Sequence, residues 1–120
     1  MSDGTAPNFG HALRELRRRT GMSQRELAER TRLDFSYISK LENSRLPAPS
    51  ADSVVAISRA LAVPPEDLLA LTGKIPSDVQ HAVSTNREAQ RFLLEAQQMR
   101  LTDLEWERMA ASLRQLRGDP

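Results

Sequence analysis

Phe35, Ser36, Ser39, Lys40 and Asn43 fall at i, i+1, i+4, i+5 and i+8, a spacing that gathers them on one side of a helix. Ile38 and Leu41 take the opposite, apolar side. A short face of hydroxyl, amide and ammonium groups with few acids has the chemistry to enter a DNA major groove and meet base edges and phosphates. Taken alone, it is also what any solvated helix shows. Lys40 and Arg45 at a helix end complement the dipole there. Tyr37 reads equally as a packing residue with its hydroxyl in water. Phe35 has two readings: a ring against a thymine methyl, or a ring tucked against its own domain.

Catalysis has less to work with. His11 and His81 stand in separate segments without a third ligand at helical spacing, and both read as surface side chains. Asp103 and Glu105 fall in a helix's first turn, where dipole complementation accounts for acids. The five glycines are scattered, so no phosphate-cradling loop is formed. The absence of cysteine excludes thiolate zinc sites, disulfides and a thiol nucleophile. The expectation is a non-enzymatic chain with no catalytic residue, cofactor or metal.

Charge sharpens the contrast between the two parts of the chain. The formal net charge of the 120 residues is +1, but residues 1–50 hold nine Lys and Arg against six acids. Residues 51–120 hold eight against ten. Basic charge gathered in the segment that carries the polar face is either an anion-binding footprint or a solvated helix surface. With 39% apolar and 28% charged residues, the composition is that of a soluble globular chain. No apolar run approaches the roughly 18 residues of a membrane span, and residues 1–7 lack the basic start and apolar stretch of a secretory signal. A cytoplasmic location is expected.

The elements that must position this face are helices. Phe9, Ala12, Leu13 and Leu16 form a buried stripe that Asn8 can cap and Gly21 can end, leaving Arg14, Arg17 and Arg18 for solvent or a partner. Ser23 with Glu26 has capping-box spacing, and Met22 with Leu27 takes the staple positions around it. That helix is short, residues 24–31. Asp34 is the next cap, Leu33 and Ile38 the next staple, and a second short helix covers residues 35–43. Three or four residues between the two are the turn of a helix-turn-helix. Pro47 and Pro49 mark a loop, after which Ser50 caps a helix with the stripe Val54, Ile57, Leu61. Pro64 and Pro65 stop it and open a fifth, which ends at Gly73. Further capping boxes are expected at Ser77 with Gln80, Thr85 with Glu88, and Thr102 with Glu105.

The run SQRELAERTRLDFSYISKLEN, residues 23–43, resembles the helix-turn-helix of the phage-repressor and Cro-like (XRE) family, and PSADSVVAISRALAVPPEDLLALTG resembles that family's fourth and fifth helices. The resemblance covers residues 8–73. It implies a sequence-specific transcriptional regulator of bacterial or phage origin, a repressor that binds a palindromic operator in double-stranded DNA as a homodimer. Carried over residue by residue, it gives Phe35, Ser36, Ser39 and Lys40 base-reading or base-near positions. It gives Gln24 a phosphate contact and sets Tyr37, Asn43 and Arg45 on the other side of the groove. Two positions depart from the pattern: Arg32 and Ser44 stand where the family commonly has glycine. A left-handed conformation there costs roughly 1–2 kcal/mol per non-glycine residue.

Beyond Gly73, two amphipathic helices joined at Arg100–Leu101 make an αα-hairpin pattern. The later helix carries Trp106, Met109, Ala110, Leu113 and Leu116 on one side, and the earlier carries Ala89, Phe92, Leu93, Ala96 and Met99. The fold expected is therefore all-α: a disordered residues 1–7, a five-helix repressor-like domain over 8–73, and a helical hairpin within 74–120. Phe92, Leu93, Trp106, Met109, Leu113 and Leu116 are the expected dimerisation residues. Two alternatives stay open. The hairpin folds back on its own domain, or it binds a partner protein, as in an antitoxin or a protease-controlled repressor.

Overall fold

The structure is a computed structural model that describes residues 9–118. The cap expected at Asn8 and the disorder expected of residues 1–7 fall outside the described residues. The described residues form α1 (Phe9–Arg19), α2 (Gln24–Thr31), α3 (Phe35–Glu42), α4 (Ala51–Ala60), α5 (Pro65–Thr72), α6 (Ser77–Ser84), α7 (Arg87–Met99) and α8 (Asp103–Gln115). The chain divides into two compact units, residues 1–80 and 81–120.

The first unit is built around one apolar core. Phe9 and Leu13 of α1, Leu27 of α2, Ile38 and Leu41 of α3, Val54 and Ile57 of α4, Leu61, and Leu68 of α5 are all buried together. α1 packs on α3 and α5, α2 on α3 and α4, and α4 on α5. Met22 and Leu27, the staple pair around the α2 start, both sit in this core. Ser23 accepts from the Glu26 amide at 3.0 Å, but only half of the expected box forms, because the Glu26 carboxylate turns to Arg30 at 2.9 Å. Ser50 caps α4 from Ser53, and Gly73 ends α5 in the left-handed region at φ 67°. Asp34 occupies the N-cap position of α3 without a side-chain cap bond.

The unit does not stop at Gly73. Lys74 Nζ donates to the carbonyls of Ala48 and Pro49 at 3.1 and 3.0 Å. The Ser77 amide and hydroxyl both donate to Asp52, at 3.1 and 2.8 Å. These bonds hold the Asp52 carboxyl below its ordinary value. Ser77 is thereby taken from the capping box expected with Gln80: Asp52 offers it two acceptors.

In the second unit the cap before α7 is Asn86, whose side chain accepts from Ala89, and not Thr85, whose hydroxyl donates back to His81. Thr102 and Glu105 form the full reciprocal box at α8. α7 ends on Arg100 in the left-handed region, φ 51°, and α8 follows within three residues. Few backbone positions of α7 and α8 approach closely, and their side chains line a shared groove. Ala96 is the one buried residue described in this unit.

Candidate nucleic-acid interface

The presented face of α3 depends on how tightly its two ends are fixed. α2 ends on Arg32 at φ 59°, ψ 26°, with the Leu33 amide reaching back to the Ala28 carbonyl at 3.1 Å. After α3, Ser44 sits at φ 57° and the Arg45 amide reaches the Lys40 carbonyl at 2.9 Å. Both turns therefore keep the six-to-one closure of a glycine-type helix end. The two departures from glycine have not changed the turn; they carry its conformational cost instead.

Beneath the face lies a buried charge. Glu42 is 3% exposed. Arg17 forks onto its carboxylate at 2.6 and 2.9 Å, Gln24 donates to it at 3.0 Å, and Arg14 stands 3.5 Å away. Arg17 also donates to the Met22 carbonyl at 2.8 Å. Burial pushes the Glu42 carboxyl up, but the hydrogen bonds from Arg17 and Gln24, the Arg17 charge and the Arg14 hydrogen bond together bring it below the usual carboxylate value. This cluster ties α1, α2 and α3 into one block. It corrects the expectation for two first-helix arginines: Arg17 faces inward, and Arg14 is partly taken by Asn43 at 2.7 Å and by the Glu42 carbonyl. Arg18 stays exposed. Glu42 was not read from the sequence as functional, although its place four residues after Ile38 on the core side was a legible signal.

The residues expected at DNA lie around this block. Phe35, Ser36, Lys40, Asn43 and Arg45 are exposed, while Gln24, Tyr37 and Ser39 are half-buried. The Ser36 hydroxyl lies 3.5 Å from the Asp34 carboxylate. Tyr37 packs against the core, and burial raises its phenol above the usual value. Gln24 spends one amide N–H on Glu42, and Asn43 uses its oxygen on Arg14, which leaves the Asn43 NH₂ as a donor. Arg25 of α2 lies with its guanidinium 4.6 Å from the centre of the Phe35 ring. His11 and His81 are both exposed.

The family profile for the helix-turn-helix domain matches residues 8–71. The chain belongs to the helix-turn-helix family. Members are DNA-binding transcriptional regulators and not enzymes. Over 77 residues this helix-turn-helix chain is 34% identical to an uncharacterized HTH-type transcriptional regulator, RghRB, of Bacillus subtilis (strain 168). The match takes in 62% of this chain and 55% of that one, so this chain spans about half the length of the relative it matches. A solved complex of SinR protein and SinI protein contains a chain similar to this one at a TM-score of 0.49 and 25% identity, over 77% of this chain and 96% of that one. No helix among the described residues is long and apolar enough to cross a membrane.

Proposed function

We propose that this helix-turn-helix protein is a cytoplasmic repressor that reads a palindromic operator as a homodimer. The observation that carries the reading is the exposed, polar and basic face of α3, fixed to α1 and α2 by the Glu42 cluster. Ser36, Ser39 and Lys40 read base edges, with Phe35 beside them. Gln24, Tyr37, Asn43 and Arg45 hold phosphates on either side, and the domain that does so covers residues 8–73. Residues 74–120 assemble the pair.

The occupant of the second unit is a second copy of this chain. Phe92, Trp106, Met109, Leu113 and Leu116 line an apolar groove of about 550 Å³. A unit of this size with one buried residue is below what a single chain stabilises without staples or a partner. Charge favours self-pairing. Residues 81–118 carry six arginines against five acids, so two copies hardly repel. Along α8 the acids Asp103, Glu105 and Glu107 precede the bases Arg108 and Arg114. A two-fold axis that sets two α8 helices antiparallel brings acid end to basic end.

Selection of bound sites from random duplex DNA supplies the probe. Lys40→Ala and Ser36→Ala are expected to relax preference at particular bases, at roughly 1–3 kcal/mol for a good base contact. Gln24→Ala weakens all sequences about equally. Equal losses for Lys40→Ala and Ser36→Ala on selected and random duplexes would remove the face from the base-reading role. Light scattering addresses the assembly. The full chain is expected at dimer mass and Trp106→Ala at monomer mass, since losing a buried aromatic costs about 3–5 kcal/mol. A wild-type monomer, free and on DNA, would leave the groove to another protein.

A further inference from the structure

Phe35 is the first residue of α3 and stands 38% exposed, outside the buried core of its unit. Arg25, the second residue of α2, stacks over it with its guanidinium 4.6 Å from the ring centre. Arg25 is itself exposed and forms no ion pair among the described residues, although Glu29 is one turn along the same helix. Arg25, Ala28, Glu29, Leu33 and Phe35 line a shallow groove of about 250 Å³ between the two helices. The groove opens beside the first turn of the face that carries Ser36, Ser39 and Lys40.

An aromatic ring has no hydrogen bond to offer a base edge. The apolar group that a major groove presents is the C5 methyl of thymine. A ring left exposed at the start of a reading helix therefore suits that methyl, provided the ring is held. A planar guanidinium over one ring face holds it by cation–π attraction, and the same fork keeps donors for a neighbouring phosphate oxygen. Lysine keeps the charge and its attraction to the ring but has no plane to stack and no fork.

We propose that Arg25 and Phe35 act as one reading element. Phe35 contacts a thymine methyl, and Arg25 is the positioning residue that clamps the ring and anchors it to the phosphate beside that thymine. The proposal rests on the DNA-binding reading above and adds Arg25 to the residues that set specificity.

The test replaces each thymine, in turn, by uracil in a duplex selected from a random pool, which deletes one methyl and leaves every hydrogen-bonding group. The full chain is expected to lose about fourfold in affinity at one position per half-site, the equivalent of one buried methylene-sized group. Phe35→Ala should be indifferent to uracil at that position. Arg25→Ala should lose most of the discrimination and flatten the salt slope by about one phosphate. Arg25→Lys should keep the salt slope and lose part of the discrimination, falling between wild type and Arg25→Ala. Circular dichroism on each variant separates these effects from misfolding, and Phe35→Leu, which keeps an apolar side chain there, should retain part of the uracil effect. Indifference of the wild type to uracil at every position, or a uracil effect undiminished in Phe35→Ala, would overturn the proposal while leaving DNA binding intact. A selection that returns no duplex with salt-dependent binding would instead remove the DNA-binding reading, and this one with it.

Discussion

Glu42 is the residue on which the reading face rests. A carboxylate removed from water survives only with its lone pairs met, and here two arginines and one amide meet them. Breaking one side of such a cluster leaves a buried charge unpaired, which costs about 3–5 kcal/mol. Glu42→Gln should therefore be destabilised at pH 7, as Arg17 would keep its charge without its partner. The pH dependence has a definite sign. Because folding lowers the Glu42 carboxyl below its ordinary 4.5, its contribution is complete above that value and is lost as pH falls through the lower folded value. Denaturant unfolding at pH 7, 5, 4 and 3 should show the gap between wild type and Glu42→Gln constant down to about pH 5 and closing below. Parallel curves across the whole range would mean that Glu42 carries no titratable share of stability.

At the scale of elements, α1 lies so close to the end of α3 that only glycine fits between them. A Cβ on Gly10 would run into the Leu41 carbonyl, and would stand 2.8 Å from the Ser44 hydroxyl and 3.0 Å from the Glu42 carbonyl. Gly10→Ala gains helix propensity of about 1 kcal/mol, yet it must push apart backbone that cannot give way. Thermal denaturation should find it less stable by about 1–3 kcal/mol. Ser44→Gly should behave in the opposite way, since it relieves a left-handed non-glycine residue. A gain near 1 kcal/mol would raise Tm by about 4–8 °C in a unit of this size. A stable Gly10→Ala or an unstable Ser44→Gly would show that these contacts do not set the junction. Much of this level was legible beforehand. The helices α1–α5 follow from periodicity, proline and glycine stops, and the caps at Ser23 and Ser50, which are local bonds between residues three apart. Ser77 and Arg17 were misread for a shared reason. Asp52 and Glu42 lie 25 residues away in sequence, and a distant acceptor outbids a local one without leaving any mark in the spacing. At Thr85 the misreading was by a single residue, with Asn86 holding the better acceptor for the Ala89 amide. The chemistry of α3 was legible as a face, whereas the Arg25–Phe35 stack required the angle between two helices and was not.

For the whole molecule, the division of labour follows from where the core is. The first unit closes its own core and presents a rigid polar face; the second leaves Leu94, Met99, Leu113 and Leu116 more than 60% exposed. In the proposed dimer the second unit pairs copies so that two α3 faces meet two half-sites about 34 Å apart, one helical turn of DNA. Contact between the first unit and a phosphate backbone is read out by titrating the full chain onto a selected duplex at a series of salt concentrations. Affinity is expected to fall steeply, with a log–log slope of about −0.9 for each phosphate neutralised. Measurable affinity that stays flat with salt would contradict that contact.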